Sequence, residues 1–200
     1  MTVALGIKAH SGWAALVALG APAGEWRIFD RCRMELVEKD EAWWAKQPYH
    51  AAERLSAEDA PRRVKLGISA ARRIAIREMR AALGRARESG ARVAACAVLV
   101  VDPMPDWTVE EILAVHFRMH KAEGVLFREA LVSAAEACGI RCLGIHEKQL
   151  EASAEQALAS PMSSLRKRLT LLGKSVGPPW GKDQKDAALA AMIALQTRVK

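Results

Sequence analysis

The nine residues Val93–Val101 (VAACAVLVV) are almost all apolar, and they end abruptly at Asp102-Pro103-Met104-Pro105. A membrane span needs about 20 such residues, and a strand with one wet face would alternate. A run this short and uniform fits a strand buried on both faces, which requires helices above and below the sheet that contains it. An aspartate therefore stands at the carboxyl end of a central strand.

The rest of the chain supplies the other layers. Val3, Leu5 and Ile7 alternate with Ala4, Gly6 and Lys8, the period of a strand. A turn at His10, Ser11 and Gly12 leads into Trp13–Leu19, and Gly20, Pro22 and Gly24 punctuate before a third β-like run over Glu25–Val37. Glu38–Pro61 has no clear period despite Trp43, Trp44, Pro48 and Tyr49, and is expected to be irregular with short helix. Arg62–Ser89 has the pattern of a long helix, with Ile76, Met79 and Leu83 on one stripe and Arg73, Arg77, Arg80 and Arg87 on a neighbouring face. Thr108, followed by Glu110 and Glu111, opens a helix expected to reach about Cys138 and to close at Gly139, with Gly124 marking a break or a close contact. Arg141–Ile145 is a short strand and Glu151–Leu158 a short helix; a basic, glycine- and proline-rich loop spans Arg166 to Gly181, and a last helix runs from Lys182 towards Thr197. The order predicts one α/β domain over residues 1–200 with a mixed sheet.

Charge narrows the class of partner. The chain carries 30 Lys and Arg against 23 Asp and Glu, a net +7. Residues 61–92 hold ten basic and two acidic side chains, and 161–200 hold eight and two, so the excess is clustered. Clustered cations favour a polyanion, because they release counterions from a phosphate backbone. A bland basic surface is the competing explanation. No stretch is suited to the membrane, and Met1–Leu5 lacks the basic flank of a secretory signal, so the expected location is cytoplasmic. Cys32, Cys96, Cys138 and Cys142 form no CxxC pair and are expected to be reduced.

Asp183 and Asp186 stand three apart at the start of the final helix, on one face and near its positive end. They suit either a hard divalent cation or simple dipole complementation. Asp102 tips the balance towards a site, since α/β sheets gather ligands at the carboxyl ends of their strands and three acids are expected to converge there.

Four stretches, in order, resemble the RuvC-type Holliday junction resolvases of the RNase H-like superfamily. Leu5-Gly6-Ile7-Lys8-Ala9-His10-Ser11 is similar to the first-strand motif, usually hydrophobic-Gly-Ile-Asp-Pro-Gly-Ser; Asp102 takes the place of a glutamate after the fourth strand. Lys121–Val125 into Cys138-Gly139-Ile140 resembles a helix rich in small residues, and Asp183-Gln184-Lys185-Asp186-Ala187-Ala188-Leu189-Ala190 resembles the closing Asp-x-x-Asp-Ala-x-x-Ala segment. The resemblance implies a mixed five-stranded sheet flanked by helices, a two-metal carboxylate site holding Mg²⁺ or Mn²⁺ through Asp102, Asp183 and Asp186, cleavage of branched DNA, and pairing as a homodimer.

One position departs from that pattern. Lys8 stands where the family has its first metal-bridging aspartate. An ammonium about 4 Å from Mg²⁺ is repelled by roughly 8 kcal/mol at an effective dielectric of 20. The natural role for Lys8 is to replace the cation, pairing with Asp102, Asp183 or Asp186 in a non-cleaving relative. Two rescues keep an active Mg²⁺-dependent structure-specific endodeoxyribonuclease open: His10 as a metal ligand, or a Lys8 made neutral by burial. Nucleic acid would meet Arg73, Arg77 and Arg80 on the long helix and Lys174, Lys182 and Lys185 near the C-terminus, with Trp180 available to stack on a base. A protein-interaction scaffold without nucleic acid, using Trp43 and Trp44, is the reading from a different class. His116 and His120 have the i, i+4 spacing of a zinc site, but Phe117 occupies the glutamate place of HExxH, so they are expected to be surface or partly buried histidines. Gly173-Lys174-Ser175 mimics the end of a phosphate-binding loop whose first glycine is replaced by Arg168, and is set aside.

Overall fold

The computed structural model describes residues 1–197; Arg198 and Lys200, counted above in the second basic stretch, lie outside them. Five strands form one sheet: β1 (Thr2–His10), β2 (Trp13–Gly20), β3 (Arg27–Glu35), β4 (Arg92–Val100) and β5 (Cys142–His146), in the order β3-β2-β1-β4-β5. β2 is antiparallel to β1 and β3, while β1, β4 and β5 run parallel. This is the mixed five-stranded α/β sheet expected of an RNase H-like domain. The apolar run behaves as its uniformity requires. Cys96 and Val98 enter one core, Ala95, Ala97 and Leu99 the other.

The first core lies under α3 (Asp59–Glu88) and α5 (His116–Ala137), with the short helices α1 (Ala42–Ala45), α2 (Pro48–Ala52) and α4 (Val109–Leu113) around them. The second lies under α6 (Leu150–Leu158), α7 (Met162–Val176) and α8 (Lys182–Gln196). α8 is buried nearly all round, and its alanines let it press onto β1. Gly6 permits that approach, since a Cβ there would sit 1.8 Å from the Ala187 carbonyl oxygen.

Three expectations are corrected. The single helix from Thr108 is two helices, broken where Val115 turns extended and not at Gly124, which lies inside α5 with open space beside it. Thr108 does form the N-terminal capping box, its Oγ1 accepting from Glu111 N–H and Glu111 Oε2 accepting from Thr108 N–H. The long basic helix begins at Asp59, three residues before Arg62, because Pro61 is tolerated in a first turn. The basic segment read as a loop from Arg166 is mostly α7: Leu165, Leu169 and Leu172 make a buried stripe, and Gly173 lies within the helix, where a Cβ would collide with Trp180. The four cysteines are free, with Cys96 and Cys142 register partners across β4 and β5. No helix among the described residues is long and apolar enough to cross a membrane.

Candidate functional site

Side chains on β1 alternate between the two cores, so Lys8 follows Ala4 and Gly6 onto the α8 face. Gly6 fixes α8 against the strand, and the first turn of α8 then meets Lys8. Lys8 Nζ donates to Asp186 Oδ2 at 2.6 Å and lies 3.4 Å from Asp183 Oδ1. Lys8 is 8% exposed. Burial works against its charge, but the hydrogen bond to Asp186 and the negative charges of Asp186, Asp183 and Glu147 outweigh it, and the ammonium titrates above its ordinary 10.5. The pairing with Asp186 thus favours the charged form of Lys8.

His10, at the end of β1, brings Nε2 to 3.1 Å from Asp183 Oδ2 but off the direction of a hydrogen bond. Its ring stacks on Trp13 at 4.3 Å, and the Arg33 guanidinium lies over the same indole at 3.9 Å. Asp183 thus sits between an ammonium and an imidazole edge.

Asp102 does not join this group. Its side chain is 71% exposed, and Oδ1 pairs instead with His146 Nε2 at 3.1 Å, at the end of β5. Of the three acids expected to converge, Asp183 and Asp186 meet at Lys8, whereas Asp102 makes no ion pair with Lys8 and is paired with His146. The third negative charge felt by Lys8 is that of Glu147, which sequence reasoning missed. It follows β5 directly, so the strand-end rule that singled out Asp102 applies to it equally. Glu147 is itself paired with Arg128 at 2.6 Å, and Arg128 also donates to the Gly124 carbonyl.

A divalent metal pair does not fit these residues. The Lys8 ammonium occupies the place between Asp183 and Asp186 that a cation would take, and Asp102 is paired with His146. What adjoins Asp186 is a cleft of about 470 Å³ lined by Arg166, Thr170, Lys182, Lys185 and Leu189 among others. Arg166 is held by Glu151, but Lys182 and Lys185 have no ion pair among the described residues. Lys174 is exposed on α7. Trp180 donates its indole N–H to the Leu169 carbonyl at 2.9 Å and packs on Gly173, which commits the ring to the joint between α7 and α8. Arg73, Arg77 and Arg80 lie on α3, across the sheet from this cleft, and Glu38 pairs with Arg77 at 2.7 Å and Arg73 at 3.7 Å.

The chain is a mixed five-stranded α/β sheet flanked by helices, with a lysine of its first strand paired to the acids of its last helix. Among solved structures, that of Thermus thermophilus RuvC is similar over 96% of this chain and 92% of its own, at 16% identity and a TM-score of 0.47. T. thermophilus RuvC in complex with a Holliday junction substrate is similar over the same shares, at 14% identity and a TM-score of 0.48. No protein-family model matches the sequence, and no curated protein matches it.

Proposed function

We propose that the protein is a RuvC-like, RNase H-fold nucleic-acid-binding protein whose metal-dependent nuclease centre is degenerate. The observation that carries this reading is the Lys8 ammonium 2.6 Å from Asp186, a permanent cation where the motif would hold exchangeable ones. Lys8 neutralises the acids of α8 at the floor of the site, so a phosphate can approach without meeting their full charge. Lys182 and Lys185 in the adjoining cleft supply the attraction, with Lys174 further along α7. The arginines of α3 form a second, weaker surface because Glu38 occupies two of them. Preference for branched DNA and pairing as a homodimer belong to the same proposal through the motif resemblance.

Binding of four-way junction, duplex and single-stranded DNA, measured by anisotropy across a salt series, tests it. Affinity should fall steeply with salt, and the junction should bind tightest. Absence of binding at low salt would remove nucleic acid from the reading and leave the scaffold. In Mg²⁺ or Mn²⁺ no cleavage is expected, and native cleavage that vanishes in Asp186→Asn would overturn the degenerate centre.

A further inference from the structure

His116 and His120 stand one turn apart at the start of α5, and the chain brings a third imidazole to them from far away in sequence. His50, on α2, packs against both, with ring centroids 5.1 Å from His116 and 4.7 Å from His120. One ligand nitrogen from each of the three lies within 4.8 Å of the other two. The Nε2 atoms of His116 and His120 are 3.1 Å apart. Two imidazoles bound tetrahedrally to one Zn²⁺ at about 2.0–2.1 Å would place their nitrogens roughly 3.3 Å apart, so this pair already has the needed spacing.

A fourth residue prepares the cluster. Glu123, 3% exposed, faces His50 with both oxygens: Oε1 accepts the His50 backbone N–H at 3.2 Å, and Oε2 lies 2.8 Å from Nδ1. A carboxylate in that position accepts a hydrogen bond from Nδ1–H, which fixes the tautomer with its lone pair on Nε2, free to bind a metal. A buried carboxylate that orients a histidine is the usual support behind a metal-bound imidazole. Here it is one turn along from His120 on the same helix, so α5 carries two ligands and the group that aims the third.

We propose that His50, His116 and His120 bind one Zn²⁺ through their imidazoles, with Glu123 as the positioning residue and the fourth coordination place open to water or a small anion. Imidazole donors suit a borderline metal such as zinc and poorly suit Mg²⁺ or Ca²⁺. Three neutral ligands leave the ion its full charge, which favours an anion in the fourth place. His116 and His120 are exposed, so that place faces solvent. The ion would also staple α2 to α5, fixing a segment that otherwise has only short helices. The site is separate from Lys8 and independent of nucleic-acid binding.

The test uses the full chain, free of any histidine tag and stripped of metal. Titrated with Co²⁺, it should bind one equivalent with the strong visible absorption of a tetrahedral site, and Zn²⁺ should displace it. Azide should shift those bands because the fourth place is exchangeable. His120→Ala, at an exposed position that circular dichroism should show leaves the fold intact, should abolish the bands. Glu123→Gln should weaken binding about 10–100-fold. Absence of saturable binding, an octahedral spectrum, or unchanged binding by His120→Ala would overturn the site, and bands indifferent to azide would overturn its open place.

Discussion

Lys8 and Asp186 hold each other in a setting where neither is easily spared. Removing one partner of a buried pair leaves an uncompensated charge, typically a loss of 3–5 kcal/mol. Asp186→Ala should therefore lower unfolding free energy in urea by about 3 kcal/mol, because Asp183 at 3.4 Å is too loosely placed to replace a 2.6 Å hydrogen bond. Asp183→Asn, at a more exposed carboxylate, should lose only about 1 kcal/mol. The pair also has an alkaline signature. Its lysine titrates higher in the folded chain than its ordinary 10.5, so the folded state binds the proton more strongly. The resulting stabilisation is complete below pH 10.5 and disappears as pH rises through the folded value. Urea midpoints of native protein and Lys8→Met should accordingly converge in that alkaline window. Asp183, Asp186 and Lys8 were legible as a group because helix spacing and the first-strand motif each fix a side-chain direction. Asp102 was not, since a strand end locates a residue without saying which neighbour it faces. His50 was illegible as a ligand, because only tertiary packing of a pattern-free segment brings it to α5.

Among the elements, α8 decides where the site lies. A methyl on Gly6 would meet backbone atoms of Ala187 and Ala191 that no rotamer change can move. Gly6→Ala should cost more than about 3 kcal/mol, beyond ordinary overpacking, and should pull the acids from Lys8. Gly124→Ala is the contrasting case, having nothing within 4 Å inside α5, and should stabilise by about 0.5–1 kcal/mol; thermal melts of the two should move in opposite directions. The strands and the long helices were readable from periodicity. α7 was not: its leucines at 165, 169 and 172 carry a helical period, but Gly173, the prolines after it and the run of basic residues resemble loop punctuation. The glycine answers to Trp180 and not to a turn.

For the molecule as a whole, the two basic regions stand on opposite sides of the sheet, so one duplex cannot lie flat on both. If the cleft beside Asp186 takes the phosphates, Lys182→Ala with Lys185→Ala should flatten the dependence of log affinity on log salt by roughly 1.8, two contacts' worth on duplex DNA. Arg80→Ala should change that slope by less than half as much. Net charge pointed to a polyanion, yet it carries no direction in space, which is why the division of the cations between two faces was invisible in the sequence. At the sheet's outer rim, Arg31 of β3 donates to four successive carbonyls, Val176, Gly177, Pro178 and Pro179, where α7 turns towards α8. This guanidinium is a rivet between the last strand of the row and the corner that joins α7 to α8: it makes any tug on that corner a load on the whole five-strand plate.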